Sequence, residues 1–299
     1  MQKWIKSNKG DKMKVSGFTF LRNGEILGYP FKESIQSILP IVDEFVIALG
    51  NSEDNTEEIL KSIKSDKIRI IKTIWNENMQ DRGFIYAQQK NIAHYNCTGD
   101  WAFYLEGDEV VHENDLDKIY ETMKKYKDNP NVEAIGFDYI HFYGNANTYV
   151  DSPGWYRREV RIIKNNIRVF APGGLYWVVM HKNKKGRYPY AVMSGAKMYH
   201  YGWVRSEEQM NLKLKKVKKY WKHKYEPIDY REIDPTILRE FKGTHPKVIQ
   251  DWLPKEEGIF KANPNHKLTK KEKKHRLVRK IEKLFNIDLS KKHFKPAKV

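Results

Sequence analysis

The sequence is poor in cysteine, in long apolar runs and in signals for export. Its 299 residues include a single cysteine, Cys97, which excludes a disulfide framework and a zinc site made of clustered cysteines. No stretch reaches the roughly 18 consecutive apolar residues that a membrane-spanning helix requires. The basic residues of positions 1–14 are not followed by an apolar segment, so no secretory signal is predicted. These absences favour a cytoplasmic protein.

Apolar residues make up 40% of the chain and aromatic residues 13%. This is enough to bury a core and to exclude disorder throughout the chain. The length predicts one large domain or two modest domains. Positions 1–12 precede the first strand-like run, and we predict that they form a disordered extension.

The positive charge is concentrated in the last third of the chain. Positions 1–200 carry 28 basic and 25 acidic side chains, a net charge of +3, whereas positions 201–299 carry 27 and 13, a net charge of +14. We therefore predict a globular domain over 13–205 and a basic, helical C-terminal region over 206–299. Such a region suits contact with anionic lipid, nucleic acid or a phosphorylated substrate, or is a solvated helix surface.

Apolar, β-rich runs alternate with helical patterns in the first third of the chain. The predicted strands cover positions 15–21, 44–49, 67–74 and 101–105. The predicted helices between them cover positions 26–39, 57–63 and 84–94. This alternation predicts βαβ units and an α/β fold with a doubly wound, mostly parallel sheet. Ligands of such sheets bind beyond the carboxyl ends of the strands.

The remaining two thirds of the chain have a less regular pattern. A helix is predicted from position 115 to about 127. The other predicted elements are strands at 134–142 and 159–164, an irregular region over 170–201, and helices over 206–224 and 267–285.

Three carboxylates follow the fourth predicted strand within four residues, in Glu106-Gly107-Asp108-Glu109. Carboxylates this close repel one another unless a cation or hydrogen-bond donors compensate them. Oxygen ligands at a strand end suit Mg²⁺ or Mn²⁺. The alternative is a solvated acidic turn, and the position at the end of a parallel strand favours the metal site.

Several motifs around this loop occur in one known family. They are Ser52-Glu53-Asp54-Asn55-Thr56, Lys90-Asn91, Thr98-Gly99-Asp100-Trp101, and Glu106-Gly107-Asp108 where the family has Asp-x-Asp. Over 13–205 the chain resembles the family-2 glycosyltransferases, which have the GT-A fold. The resemblance implies transfer of a sugar from a nucleoside-diphosphate sugar to an acceptor hydroxyl, with inversion, and with Mn²⁺ or Mg²⁺ as cofactor. It also implies a GT-A type sheet, here with a helical, basic C-terminal extension.

The resemblance also implies roles for individual residues. The metal would be held by Glu106, Asp108 and His200. The nucleotide would be bound by Thr19, Phe20, Arg22, Asn51, Asp54, Lys90, Asn91 and Glu106. For Asp54 a helix cap, for Lys90 a surface position and for His200 a packed, hydrogen-bonded position are the alternatives.

An inverting transfer needs a general base near the acceptor hydroxyl. The Glu-Asp pair that the family carries in the region of 171–194 is missing, since no acidic residue occurs between positions 171 and 199. We expect Glu159 to be the base, with Asp151 next and Asp138 as a further candidate. Aromatic residues in the same half suit stacking on sugar rings, or core packing. They are Trp155, Tyr156, Trp177, Tyr188 and Tyr190.

Two Lys-rich segments of the C-terminal region, 212–220 and 270–285, also contain apolar residues at helical spacing. This pattern predicts peripheral contact with an anionic membrane, where a lipid-linked acceptor would be met, or docking of the helices onto the catalytic domain. A saccharide is the other acceptor class.

Three other functions were compared with sugar transfer. A nucleic-acid-binding protein would fit the basic charge, but no nucleic-acid-binding motif occurs, and we expect no nucleic-acid partner. A sugar-1-phosphate nucleotidyltransferase would need a glycine-rich phosphate loop after the first strand, which is absent. A catalytically inactive, transferase-like binding module would fit the missing Glu-Asp pair.

Overall fold

The computed structural model describes residues 13–182, 185–221, 225–256 and 258–299. The predicted extension over 1–12 lies outside the described residues. The strands are β1 (Val15–Leu21), β2 (Glu44–Gly50), β3 (Ile68–Thr73), β4 (Trp101–Tyr104), β5 (Glu109–Val111), β6 (Ala134–Tyr143), β7 (Asn145–Val150), β8 (Arg158–Lys164), β9 (Val169–Phe170), β10 (Val178–Met180), β11 (Gly186–Arg187), β12 (Tyr190–Trp203), β13 (Leu238–Glu240) and β14 (Lys295–Pro296). The helices are α1 (Phe31–Ile38), α2 (Thr56–Lys61), α3 (Phe84–Tyr95), α4 (Leu116–Tyr126), α5 (Glu207–Val217) and α6 (Lys270–Phe285).

The four strands predicted from the first third of the chain form the parallel part of the main sheet, in the order β3-β2-β1-β4. Their side chains alternate between two buried clusters, because successive residues of a strand point to opposite faces. Phe45 and Ile47 belong to one cluster, and Val46 and Ala48 to the other. Both faces are therefore covered, as the continuous apolar pattern of β2 predicts.

The second half of the sheet is mixed. Strand β8 pairs antiparallel with β4 and with β6, and β6 pairs antiparallel with β7. Strand β12 runs parallel to β6 and antiparallel to β5, which brings the end of β12 beside the acidic loop. The α/β class with parallel central strands is confirmed, and the antiparallel strands extend it on the side of β4.

The prediction of an irregular region over 170–201 was wrong, because the last part of this region belongs to the long strand β12. The pairing with β6 shifts register between Met193 and Lys197. Gly195 lies within this shift with φ +72°, a conformation that glycine adopts without strain. This bulge interrupts the alternation of side chains on which the prediction of a strand depends.

The helix predicted over 26–39 starts later than expected, at Phe31. Pro30 precedes it, and a proline disfavours helical conformation in the residue before it. Gly28, with φ +62°, ends the turn that replaces the first part of the predicted helix. This turn lies beside the acidic loop and becomes part of the site.

The predicted helical extension is present as α5 and α6, and it is integrated into the sheet. Strand β13 pairs with β7, and β14 pairs with β12. Within the described residues, no helix combines the length and the apolar character needed to cross a bilayer.

Candidate active site

The acidic loop begins where β4 ends and is fixed to β1. The backbone N–H of Leu105 donates to Phe18 O at 3.1 Å, and the hydroxyl of Thr19 donates to Leu105 O at 2.7 Å. Thr19, a predicted nucleotide contact, is buried and acts on the backbone that carries the loop. Its observed role is to hold the start of the loop against β1.

Arg161, on β8, compensates two of the three carboxylates. Its guanidinium is fully buried and donates to both oxygens of Glu109, at 2.7 and 2.6 Å. A further bond of 3.1 Å reaches Glu106. The hydroxyl of Tyr139 also donates to Glu109, at 2.8 Å. A bidentate, buried pair of this kind is structural, so Glu109 holds the loop while its neighbours remain for ligands.

Glu106, Asp108 and His200 form a cluster suited to a divalent cation. Each offers one ligand atom, and these atoms all lie within 4.8 Å of one another. Two carboxylates and one imidazole suit Mn²⁺, and the carboxylates also suit Mg²⁺. The residues that the sequence predicts as metal ligands are therefore brought together from two strand ends, and they fit the cation.

A second histidine, His141 on β6, orients the ring of His200. The Nε2 atom of His141 lies 2.7 Å from Tyr156 O, which can only accept, so this nitrogen is the donor. Its Nδ1 lies 2.9 Å from Nδ1 of His200 and accepts from it. Burial holds the pKa of His141 well below its usual range, which keeps this ring neutral. The Nε2 atom of His200 is thus directed at the carboxylates, as a metal ligand requires.

Glu106 is the carboxylate of the cluster that is partly open to solvent, with 30% of its side chain exposed. Burial of the carboxyl group, the nearby Glu109 and the nearby Asp108 raise its pKa to about 7, and Arg161 opposes the rise. Its charge therefore changes near neutral pH in the metal-free protein.

Asp108 is buried beside three cationic groups. Burial by itself would raise its pKa, but Lys213, His200 and Arg205 hold it well below its usual range. Arg205 Nη2 lies 3.0 Å and Lys213 Nζ lies 3.5 Å from Asp108 Oδ2. Burial would lower the pKa of His200, but the adjacent Asp108 raises it. The carboxylates are therefore already compensated, so an added cation is favoured most when an anion arrives with it.

The cluster opens into a cavity of about 370 Å³ between the parallel strands and α5. Glu106 and Asp108 belong to its lining. The aromatic lining is Phe20, Tyr29, Trp75, Tyr86, Tyr104, Tyr220 and Trp221. The cationic lining is Arg22, Lys213, Lys216 and Lys219. An acidic cluster, a row of cations and aromatic walls thus share one space.

Three lysines of the C-terminal region are each held by a carboxylate of the first half of the chain. Lys213 lies beside Asp108, as described above, and Lys216 Nζ lies 3.3 Å from Glu53 Oε2. Lys219 Nζ lies 2.5 Å from Glu77 Oε2.

Glu77, the partner of Lys219, also binds two other cavity residues. The hydroxyl of Tyr220 donates to Glu77 at 2.9 Å, and Arg22 forms an ion pair with it. These contacts hold α5 and the turn after it over the cavity.

Of the remaining predicted nucleotide residues, Phe20, Arg22 and Glu106 line this cavity. Asn51 is exposed and is not part of the lining. Its backbone oxygen accepts from Arg22 Nε at 3.1 Å, so it helps to place this guanidinium.

The Ser52-x-Asp54-x-Thr56 motif holds the turn that precedes α1. The side chain of Ser52 accepts from the backbone N–H of Asn23 at 3.0 Å, and that of Thr56 accepts from Gly24 at 2.7 Å. Asp54 accepts from the N–H of Ile26 at 2.9 Å. The predicted contact of Asp54 with nucleotide is not seen in the lining of the cavity; its observed role is to shape the turn.

Lys90 and Asn91 act on another segment of the cavity wall. Lys90 is fully buried and donates to the carbonyls of Gly174 and Leu175, at 2.9 and 3.2 Å. Asn91 exchanges two hydrogen bonds of 2.8 Å with the backbone of Ala171. Burial, together with the nearby Arg161, holds the pKa of Lys90 well below its usual range. Both side chains position the wall and do not themselves line the cavity.

Neither predicted catalytic base lines the cavity. Glu159 is fully buried, and its Oε2 lies 2.5 Å from Nδ1 of His293, near the end of the chain. Asp151 is 41% exposed and pairs with Arg157. Asp138 pairs with Arg158. The expectation for Glu159 is corrected on physical grounds, because a carboxylate enclosed with a histidine cannot reach an acceptor hydroxyl.

The aromatic residues predicted to meet a sugar fall into two groups. Trp155 and Tyr156 pack against His141, at ring distances of 5.3 and 4.7 Å, and so lie next to the metal cluster. Trp177 is fully buried in the core, and Tyr188 packs on the ring of His293. Tyr190 contacts Arg187.

Several residues of the site were missed by the sequence interpretation. The signal for Arg161, Trp75 and Tyr86 is absent, since isolated residues of these types occur throughout the chain. The sequence interpretation of 212–220 left open whether this basic helix contacts a membrane or docks onto the catalytic domain, and it named none of its lysines as a cavity residue. The spacing of three residues from Lys213 to Lys216 to Lys219 is the signal that could have placed them on a common face.

Comparison with known proteins gives one family match. Residues 30–176 match the model of the family described as glycosyl transferase family 2. No curated protein sequence matches the chain.

Similar solved structures include glucosyl-3-phosphoglycerate synthase from Mycobacterium tuberculosis, in complex with Mn²⁺, uridine diphosphate and phosphoglyceric acid, with 15% identity, 42% of this chain and 43% of that chain covered, and a TM-score of 0.32. Residues 1–349 of TarS from S. aureus are 15% identical, with 51% of this chain and 47% of that chain covered and a TM-score of 0.35. Mannosyl-3-phosphoglycerate synthase from Rubrobacter xylanophilus is 18% identical, with 43% of this chain and 41% of that chain covered and a TM-score of 0.31. The chain thus spans less than half of the length of each of these structures.

Proposed function

We propose that the chain, whose residues 30–176 match the model of glycosyl transferase family 2, transfers a sugar from a nucleoside-diphosphate sugar to an acceptor hydroxyl. The observation that carries this proposal is the cluster of Glu106, Asp108 and His200, in which Glu106 and Asp108 open on the same cavity as a row of cations. A divalent cation and a diphosphate together would complete the charge balance of this space.

The metal ligands in the proposal are Glu106, Asp108 and His200, with Mn²⁺ or Mg²⁺ as the ion. When bound, the ion neutralises the negative charge that develops on the diphosphate leaving group. His141 keeps the ring of His200 in the orientation that ligation needs. Arg161 holds the acidic loop in place through Glu109.

The cations of the cavity are proposed to bind the diphosphate. Lys213, Lys216 and Lys219 each lie against a carboxylate, and a phosphate oxygen is an acceptor of the same kind. Arg22 also lines the cavity and shares Glu77 with Lys219. Exchange of carboxylate for phosphate would leave every ammonium group paired, so the cost of removing these charges from water is limited.

The aromatic wall is proposed to receive the nucleoside. Trp75 and Tyr86 pack edge to face at 5.3 Å, and Trp221 stacks on Tyr86 at 6.3 Å with 42% of Trp221 exposed. All three rings line the cavity, and aromatic rings suit stacking of a nucleobase. Trp221 reaches this place because Gly83 has no Cβ, which would lie 2.3 Å from the indole ring.

For the acceptor we propose a saccharide or a lipid-linked saccharide, met at an anionic membrane surface. Trp155 and Tyr156, packed on His141, are placed to contact it next to the metal cluster. Inversion at the transferred carbon is the proposed course, as the family resemblance implies. No base is assigned, since neither Glu159 nor Asp151 lies in the lining of the cavity.

A screen of UDP-, GDP-, CMP- and dTDP-sugars with Mn²⁺ tests the proposal, with thermal shift and donor hydrolysis as readouts. We expect one nucleotide class to stabilise the protein and to be hydrolysed slowly, and Asp108→Asn to remove both effects. Asp117→Asn is the matched control, because Asp117 is an exposed carboxylate of α4. Absence of nucleotide binding across the whole panel would contradict the function.

A further inference from the structure

Helix α6 is amphipathic, but it contacts the rest of the protein through charged side chains. Glu282 is the buried residue of this helix, and both of its oxygens accept from Arg157, at 2.7 and 3.1 Å. Arg276 donates to both oxygens of Asp234, at 2.8 and 2.7 Å. Arg279 donates to the carbonyl of Thr236 at 2.7 Å. The polar face is therefore the inner face.

The apolar residues of α6 lie on the outside. The exposed fraction is 59% for Leu277, 36% for Ile281, 76% for Leu284 and 63% for Phe285. Their spacing of four, three and one residues places them on one side of the helix. Amphipathic helices of globular proteins ordinarily turn this side to the core, and a contiguous exposed apolar surface marks a site of interaction. We call this surface the α6 stripe.

The apolar surface continues beyond the end of the helix. Ile287 is 46% exposed and Leu289 is 49% exposed. Between them and the helix lies Asn286, whose left-handed conformation ends α6. At the other end, Thr269 and Glu272 form a capping box. The helix is thus defined at both ends, and a partner would not have to order it.

Lysines surround the α6 stripe, and carboxylates are absent from it. Lys270, Lys273 and Lys274 lie seven, four and three residues before Leu277, on the same side of the helix, and all three are exposed. Lys280 lies three residues after Leu277 and is also exposed.

The two acidic residues of α6 are engaged elsewhere. Glu282 is bound to Arg157, and Glu272 to Thr269 and His266. The charge of the outer face is therefore positive throughout.

We propose that the α6 stripe docks the protein on an anionic lipid bilayer. Apolar side chains flanked by lysines match the interface of such a bilayer, where acyl chains lie below anionic headgroups. A second copy of the chain is a poorer occupant, because pairing two stripes would bring like charges together. Nucleic acid offers the anionic charge but no surface for four exposed aliphatic and aromatic side chains.

Docking through α6 would place the membrane close to the acceptor side of the site. Glu282 of α6 binds Arg157, and the neighbouring Tyr156 accepts from His141, which orients His200. Only this last step rests on the proposed function. The docking itself depends on the surface of α6 and not on the reaction.

Flotation of the full chain with vesicles tests the proposal. One set contains neutral phosphatidylcholine and the other contains phosphatidylglycerol in addition. We expect binding to the anionic vesicles at low salt and release at high salt. The triple variant Leu277→Ser, Leu284→Ser and Phe285→Ser is expected to lose about tenfold or more in partitioning. Ile74→Ser is the matched control, because Ile74 is 84% exposed and lies outside the stripe.

Each outcome bears on the proposal. Absence of flotation at low salt, or equal flotation of the wild type and the triple variant, overturns it. A concentration-dependent dimer that the triple variant abolishes, without vesicle binding, would assign the stripe to a second copy. Salt-sensitive binding of unstructured RNA, again without vesicle binding, would assign it to nucleic acid.

Nucleoside-diphosphate binding is measured on the same samples. Its retention in the triple variant shows that the variant is folded. Its absence in the wild type, together with vesicle binding, would contradict the proposed sugar transfer and leave membrane docking intact.

Discussion

The two helices of the C-terminal region both combine lysines with apolar residues, but they have opposite placements. Helix α5 buries Met210 and brings Lys213 and Lys216 to the cavity. Helix α6 buries Glu282 and leaves Leu284 exposed. The surface that each helix contacts decides which of its faces is buried. Along the cavity, carboxylates of the first half of the chain receive the lysines of α5, whereas a guanidinium and a carboxylate receive the charged face of α6.

An amphipathic pattern therefore shows that a helix has two faces, and the surface it meets decides which face is buried. Buried ion pairs contribute little net stability, because the cost of removing the charges from water offsets their attraction. In the ion pairs of α6 the carboxylates are buried and the guanidinium groups are partly exposed, which reduces this cost. They fix the orientation of the helix and leave its apolar side for another partner.

The largest loss of activity is expected from a change at Asp108, where α5 meets the metal cluster. Asp108→Asn removes the ligand charge and the partner of Arg205 and Lys213. We expect sugar transfer to fall by about a thousandfold or more. Donor hydrolysis with Mn²⁺ measures the loss, and Asp117→Asn should leave the rate unchanged. Equal rates for both variants would contradict the role of Asp108.

The next largest effect is a difference between the two helices in the free energy of unfolding. Met210 is 3% exposed and Leu284 is 76% exposed. Met210→Ala should lower the free energy of unfolding by about 2–5 kcal/mol, because it leaves a cavity in a packed core. Leu284→Ala should change it by less than about 0.5 kcal/mol. Urea denaturation measures both. A large loss for Leu284→Ala would mean that the α6 stripe is covered by the protein itself.

Charge removal on α5 should weaken nucleotide binding by an intermediate amount. Lys213→Ala should reduce affinity for the nucleoside diphosphate about tenfold, as expected for loss of one charge-assisted hydrogen bond. Lys215→Ala, on the exposed side of the same helix, and Lys280→Ala on α6 are the matched controls. Isothermal titration calorimetry measures all three. If the three variants bind alike, the lysines of α5 do not contact the diphosphate.

The smallest expected effect is a pH dependence of metal binding. The pKa of Glu106 is raised to about 7 in the metal-free protein, and a proton on this carboxyl competes with the metal. Affinity for Mn²⁺ should therefore rise with pH, by about threefold between half a unit below and half a unit above this pKa. Glu106→Gln should remove this part of the pH dependence and leave the part that comes from deprotonation of His200. Affinity that falls with rising pH would contradict the assignment.

Much of the parallel half could be predicted from the sequence. The strands of this half have unbroken apolar patterns, and the acidic loop follows one of them directly. Because parallel strands end at one edge of the sheet, local patterns sufficed to place the acidic loop after β4 near Arg22, which follows β1. Nothing in a local pattern shows that Arg161, far along the chain, compensates Glu109.

The second half was harder to predict because its information is not local. Strand β12 contains a bulge at Gly195 that interrupts its alternation. Glu159 is enclosed by His293, which lies 134 positions further along the chain. Lys213 approaches Asp108 only after α5 folds back over the sheet. Each of these contacts depends on topology, which spacing along the sequence does not contain.

The proposed metal site is tested most directly by an anomalous difference map. The crystals are grown with Mn²⁺ and with the nucleoside diphosphate that the screen identifies. We expect one strong manganese peak within ligand distance of Glu106, Asp108 and His200, with the diphosphate between the ion and the lysines of α5. A bound nucleotide without manganese at these three residues, or a manganese peak elsewhere, would contradict it.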